Sequence, residues 1–204
     1  MDLEECIKGR RSIRLYKDKD VEWEKVVKIL DAGNYAPSSG NIQNWEFILV
    51  KDSKNVEKVA NSCYNQSFVI EAPLIFIICA EISKIRRLYG EKGEKVYSIQ
   101  NCAMASQNIM LMAYSLGLGS CFVGAFDEDT LKEDFNIPDN IQVMGIITLG
   151  YSNEGDLEVR RQDLEICTFY EKYNNTLRNI KTFPLNNMLK KRLKDIKTRK
   201  KSFT

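Results

Sequence analysis

From Val96 to Phe126 the chain carries no Lys, Arg, Asp or Glu, although charged residues make up 28% of its 204 positions. Within that stretch Val96, Ile99, Ala103, Ile109, Met110, Ala113 and Leu116 recur at three- and four-residue steps, which predicts a helix. The intervening Cys102, Ala105, Ser106 and Met112 are small or weakly polar. A helix with no charged face is buried on most sides, so the other elements must pack around it. At ~1.5 Å per residue it runs about 30 Å. Gly117 and Gly119 end it, because glycine tolerates the left-handed cap conformation. Cys121-Phe122-Val123 then reads as a short strand leading into Gly124-Ala125-Phe126. Gly124 has two readings: an ordinary turn, or a place where the missing side chain lets a flat ligand approach the backbone.

A chain of this length suits one medium domain, or one domain with an extension. Its longest strongly apolar run, Ala72–Ala80, is far shorter than the ~20 residues of a bilayer span. The opening MDLEECIKGR lacks the apolar core of a signal peptide, so a cytoplasmic location is expected. The six cysteines form no CxxC and there is no His, which argues against a zinc site. Most of the cysteines sit in apolar patterns and read as buried, reduced thiols. Without His there is no Ser-His or Cys-His catalysis either. If the chain is an enzyme, its chemistry comes from something other than a side chain. Charge is unevenly spread: residues 178–204 hold ten Lys or Arg against Asp195 alone, a net +9, and the remainder is −7.

In chain order, Leu3–Lys8 reads as a first helix with Leu3, Cys6 and Ile7 on one side. Asp20 caps a second over Val21–Asn34, with Trp23, Val26, Val27 and Leu30 as its apolar side. Trp45–Lys51 reads as a strand, and Ser53 caps a helix to Ser62. Ala72–Ala80 is a strand covered on both faces. Ile82–Leu88 is helical, and Tyr89–Lys95 is a charged, glycine-containing approach to the central helix. Asp127 caps a helix to Phe135, Ile141–Leu149 is a buried strand, and Leu164–Leu177 is helical. Beyond Pro184, an amphipathic helix from Asn186 to about Lys200 uses Leu185, Met188, Leu189, Leu193 and Ile196. Strands between helices indicate a layered α/β or α+β domain.

Two stretches offer binding chemistry. Gly9-Arg10-Arg11-Ser12-Ile13-Arg14 places three guanidinium forks and a hydroxyl together, suited to a phosphate, or else forms a solvated basic turn. If extended, it puts Arg10, Ser12 and Arg14 on one face and Arg11 and Ile13 on the other. Ala36-Pro37-Ser38-Ser39-Gly40-Asn41 is a loop of hydroxyls, amides and free backbone N–H groups. The ordered series of these two stretches, Trp45-Glu46-Phe47-Ile48, Glu71-Ala72-Pro73, Gln100-Asn101, Ala103-Met104-Ala105-Ser106-Gln107-Asn108, Leu116–Cys121, Gly124-Ala125-Phe126, Leu149-Gly150-Tyr151 and Arg160-Arg161 resembles the FMN-dependent nitroreductase family over residues 3–170.

That resemblance implies an α+β fold with a mixed, mainly antiparallel sheet packed by helices, and a long central helix at a dimer interface. It implies a homodimer holding FMN between subunits. Residues 1–177 are read as the FMN-binding domain, and the basic segment 178–204, outside the resemblance, as a helical extension. Arg10, Arg11, Ser12 and Arg14 match the N-terminal flavin motif, with Arg10 and Ser12 at the phosphate or ribityl chain and Arg14 at the pyrimidine edge. Pro37, Ser38, Ser39 and Asn41 match the loop that reaches the flavin from the other subunit. Asn65 or Gln66 falls where an amide lies near the ring. The backbone N–H groups of Val123 and Gly124 face the flavin, and Arg160 and Arg161 match a late phosphate clamp. Asn44 stands where the family usually has Pro, and Val123 where some members have an acid. The implied activity is hydride transfer from NADH or NADPH through flavin N5 to a nitroaromatic, quinone or similar acceptor, by a ping-pong mechanism with no catalytic side chain and no metal. The alternative is a non-catalytic FMN carrier or sensor. No membrane or nucleic-acid partner is expected, since the basic segment lacks a reading motif.

Overall fold

The computed structural model describes residues 1–155 and 159–176. The basic segment 178–204 and its expected helix lie outside them. The chain divides into two compact units, Met1–Leu157 and Glu158–Thr204.

The first unit is built on a four-stranded sheet. Its strands are β1 (Trp45–Val50), β2 (Leu74–Glu81), β3 (Gly119–Val123) and β4 (Ile141–Gly150), in the order β1-β2-β4-β3. All three neighbouring pairs are antiparallel. The parallel component is a single bridge, Ser12 to Ser120, on the free edge of β3.

Strand β2 is buried on both sides, which is why its sequence is continuously apolar and not alternating. Ile75, Ile77 and Cys79 face α3 (Ser53–Ser62), α4 (Ser67–Ile70) and α7 (Glu128–Phe135) through Val56, Val59, Val69 and Leu131. Leu74, Phe76, Ile78 and Ala80 face α2 (Trp23–Asn34) and α6 (Ser98–Ser115) through Val26, Ile29, Ala105, Ile109 and Ala113. The result is helix, sheet, helix in three layers.

The central helix ends as the glycines require. Leu116 is its C-cap, Gly117 adopts φ +78°, and Leu118 N–H reaches back to the Ala113 carbonyl at 2.9 Å, a Schellman closure. Gly119 already belongs to β3. Upstream, the helical path starts well before Val96: α5 (Ile82–Lys92) and a π-helical turn (Gly93–Tyr97) run into α6. The buried side of α6 is Ser98, Asn101, Cys102, Ala105, Ser106, Ile109, Met110 and Ala113. Val96 and Ile99 of the expected stripe are instead 39% and 54% exposed in the single chain.

Helix α2 shows the same offset. Val26, Ile29 and Gly33 are buried, whereas Trp23 is 65% exposed. Ile109 occupies the space a Cβ at Gly33 would take, so contact with α6 sets the rotation of α2. Its N-cap is Glu22, not Asp20, and Asp52, not Ser53, caps α3 through the N–H groups of Lys54 and Asn55.

In the second unit, helix α8 covers Leu164–Cys167 only. Thr168 is extended, and the chain then folds back so that Phe169 pairs with Thr176. The Asn174-Asn175 pair supplies this turn: Asn174 has φ +65°, and the Asn175 amide donates to the Tyr170 carbonyl at 2.8 Å. Local turn chemistry overrides the helical period expected there.

Candidate functional site

Residues 10–14 leave α1 (Leu3–Gly9) and run along the free edge of β3. Ile13 N–H donates to the Ser120 carbonyl at 3.0 Å. Gly119 allows this approach, since a Cβ there would lie 2.7 Å from the Ile13 side chain. The Tyr16 hydroxyl meets the Ile13 carbonyl and the Thr148 hydroxyl, each at 2.7 Å. Burial pushes its pKa up, so it stays a neutral strut. The carboxylate of Glu154 accepts from the N–H groups of both Arg14 and Leu15.

Alternation along this segment sorts its side chains. Arg10, Ser12 and Arg14 fall on one side of it. Burial pushes the Cys121 thiol up, while the Arg14 charge, a hydrogen bond with Ser12 and the Arg10 charge oppose the shift. The Arg14 guanidinium lies 5.6 Å from the centre of the Phe68 ring. Gln66, at the start of α4, donates to the Ala125 carbonyl at 3.4 Å and to the Cys63 carbonyl at 3.1 Å. The Asp127 N–H donates to Ser62 at 2.8 Å and ties the chain beyond β3 to α3. Ser12 therefore lies beside the start of β3, at Ser120, and Gln66 lies near its far end, where Val123 leads into Gly124 and Ala125. Gly124 is outside the left-handed region, and a Cβ added to it would meet nothing closer than Phe122 at 3.6 Å. The chain's own packing does not demand glycine there.

Arg11 points away from this group. It donates to the Lys8 and Arg10 carbonyls and, with Ile13, Tyr114, Leu118 and Glu154, lines a separate cavity of about 470 Å³. Arg11 thus stands apart from the residues with which the family resemblance groups it, on the side that strand alternation expects.

The second stretch lies elsewhere. Ser38 leads a tight turn over Ser39–Asn41, in which Gly40, Asn41 and Gln43 have φ of +58°, +56° and +50°. This strained backbone is held by side chains. Ser38 Oγ accepts from the Gln43 N–H at 3.0 Å, and Gln43 donates to the Asn41 side chain at 2.8 Å. Ser39 donates through its N–H and hydroxyl to Asn101 Oδ1 at 3.0 and 3.3 Å. Asn101 donates to Asn44 at 2.8 Å, and Asn44 donates to Ser98 at 3.0 Å. Asn44, Asn101 and Ser98 are all 0% exposed. Pro37 is exposed ahead of the turn.

The two stretches sit at opposite ends of α6. Gly9 abuts Tyr114 near its C-terminus, while Ser39 is bonded to Asn101 near its start. About 20 Å of helix separates those levels at ~1.5 Å per residue. They also flank opposite edges of the sheet, β3 and β1. Arg160 and Arg161 belong to the second unit and are exposed.

The model of the nitroreductase family matches residues 7–68 and 57–151. The chain belongs to the nitroreductase family. A relative from Methanothermobacter thermautotrophicus, provisionally named NADH dehydrogenase/NAD(P)H nitroreductase, is 37% identical over 158 residues, 76% of this chain and 79% of its own. The FMN reductase (NADPH) of Bacillus subtilis is 26% identical over 160 residues, covering 72% and 64%. A crystal structure of a nitroreductase family protein from Clostridium difficile superposes with a TM-score of 0.75 at 29% identity, over 84% of this chain and 99% of that one.

Within this nitroreductase-family fold, Asn44 has a clear structural task. It is the middle member of the buried amide network, a place a proline side chain could not fill. The role of Asn101 in fixing Ser39, the ring of Phe68 under Arg14, and the Glu154 carboxylate were not legible in the sequence. Gln100-Asn101 was visible as an amide pair on an apolar helix; Phe68 and Glu154 carried no signal of their own. Among the described residues, no helix is long and apolar enough to cross a membrane.

Proposed function

We propose that this nitroreductase-family protein is an FMN-dependent oxidoreductase that takes a hydride from NADH or NADPH and passes electrons to a nitroaromatic, quinone or similar electrophile. The observation that carries this reading is the cradle along β3. Residues 10–14 run beside the strand, so that alternation sets two guanidinium groups and a hydroxyl on one side, and the strand leads into a glycine that the fold itself does not require. This donor set fits an anionic, planar group with a phosphate tail.

Bound FMN supplies hydride acceptance and donation. Arg10 and Ser12 hold the phosphate and sugar chain. Arg14, backed by Phe68, places a fixed positive charge where negative charge develops on the ring. Gln66 offers an amide at the rim. Val123 and Gly124 present backbone to the ring face, with Gly124 keeping the approach clear. Since no side chain has to donate or accept the transferred hydride, the lack of His is no obstacle.

The functional unit in this reading is a homodimer. A cradle and a Ser38–Asn41 loop at opposite ends of α6 cannot close on one ligand within a chain, but two chains in antiparallel array can pair them. The exposed apolar side of α6 and of the turn before it supports this, since Val96, Ile99 and Met104 are 39%, 54% and 38% exposed with no charge among them. All six cysteines are free thiols, which suits a reducing cytoplasm.

The test is an anaerobic absorption spectrum of the purified protein with FMN, followed by NADH and then NADPH. Flavin bands that bleach with a nicotinamide and return with a quinone support the reductase. Flavin bands that persist with both donors point to the carrier or sensor role, and no flavin uptake overturns the proposal.

A further inference from the structure

Three glycines converge on one tyrosine outside the cradle. Tyr89 is the last residue of α5 before a break at Gly90, whose φ of +57° and ψ of −148° only glycine adopts without strain. A Cβ at Gly90 would have nothing within 4 Å, so backbone conformation, not space, demands glycine there. Gly93 then lets the π-helical turn close against the same residue: a Cβ there would fall 2.8 Å from both Tyr89 Cβ and the Ile85 carbonyl. The third is Gly40. Its own φ is +58°, and a Cβ would fall 2.4 Å from the Tyr89 hydroxyl. Tyr97, in the π-helical turn, meets the Tyr89 ring edge-to-face at 5.2 Å.

The break and the π-helical turn therefore set the tip of one aromatic side chain on the backbone of the Ser38–Asn41 turn. That turn contains consecutive left-handed residues, Gly40 and Asn41, and its inner side is anchored by Asn101. The Tyr89 hydroxyl meets it at Gly40. π-Helical turns inside α-helices often mark functional sites, and this one supports the Tyr89 ring.

We propose that Tyr89 is a positioning residue of the flavin site: it presses on Gly40 from outside and so holds Ser38, Ser39 and Asn41 in the shape that meets the cofactor. This rests on the FMN reading above. Tyr89 acts through the loop and need not touch the flavin. The benefit is preorganisation, because a loop already in its bound shape loses less entropy on binding.

The experiment measures amide hydrogen exchange of residues 38–44 in the flavin-free full chain, and FMN affinity by flavin fluorescence, for wild type, Tyr89→Phe and Tyr89→Ala. Tyr89→Ala is expected to speed exchange in 38–44 and weaken FMN binding about tenfold, with exchange elsewhere unchanged; Tyr89→Phe, which keeps the ring, restores both to within about threefold. Tyr89→Leu replaces the alanine variant if that one does not fold. Unchanged exchange at 38–44 overturns the proposal, and so does a rise spread over the whole chain, which marks a merely structural role. If the wild type binds no FMN, the functional reading fails, while the exchange measurement still decides whether Tyr89 holds the loop.

Discussion

The two binding stretches are held in opposite ways. The Arg10–Arg14 segment is fixed by its backbone: Ile13 N–H to Ser120, Ser12 beside Ser120, and Arg14 and Leu15 N–H to Glu154. Alternation then places Arg10, Ser12 and Arg14 together on the cradle face. The Ser38–Asn41 loop is fixed by side chains, through the buried Ser39–Asn101–Asn44–Ser98 network. An edge strand needs a backbone partner, so the first stretch meets that need and spares its side chains. A turn rich in left-handed residues keeps only short local backbone bonds, Asn41 N–H to the Ser38 carbonyl among them, and draws further support from amides in the core. Changes to the first stretch should therefore appear in ligand affinity, and changes to the second in stability.

The strongest way to break this contrast is Arg14→Ala. Losing a charge-assisted contact of ~1.5–3 kcal/mol should weaken FMN binding by about 10- to 100-fold, and urea unfolding should shift little because the exposed Arg14 contributes only its contact with Phe68. A large loss of stability would contradict it. Asn101→Ala is the counterpart. It takes a partner from half-buried Ser39 and from fully buried Asn44, so stability against urea should fall by about 1–3 kcal/mol.

Gly124→Ala sharpens the comparison with a smaller effect. The fold has room for the methyl group, so stability should stay within about 0.5 kcal/mol of wild type. FMN affinity should fall about tenfold, and retained affinity would mean that Gly124 serves an ordinary turn. The smallest effect concerns Glu22, which bonds the Tyr151 hydroxyl and ties α2 to the chain just after β4. The Tyr151 hydroxyl, then its own backbone N–H and the nearby Lys25 and Lys19, hold the Glu22 carboxyl down at about 2. Its contribution is complete above the ordinary carboxyl value and fades as pH falls toward 2. Glu22→Gln should narrow the difference in stability between pH 6 and pH 3, as urea midpoints at the two values would report.

Much of the fold was legible because its signals are local. All four strands, α1, α3 and α7 follow from apolar runs and capping residues, and Asp127 caps α7 as its position suggested. Rotations were not legible. Trp23 and Val27 stood on the expected buried side of α2, yet Ile109 against Gly33 turns the helix so that Ile29 is buried instead. In the same way Val96 and Ile99 look like core by their spacing, yet they are exposed in the single chain.

The site divides along the same line. Strand alternation by itself determined that Arg10, Ser12 and Arg14 share a side and that Arg11 does not, since period 2 follows from backbone geometry. The uncharged length of the central helix was equally a property of sequence. Only the tertiary structure decided that Arg11 lines a different cavity, that Asn44 is a core amide, and that Tyr89 sits on Gly40. Each of those depends on contacts between residues far apart in the chain. Such contacts are selected by packing and hydrogen-bond satisfaction in three dimensions, which no local pattern encodes.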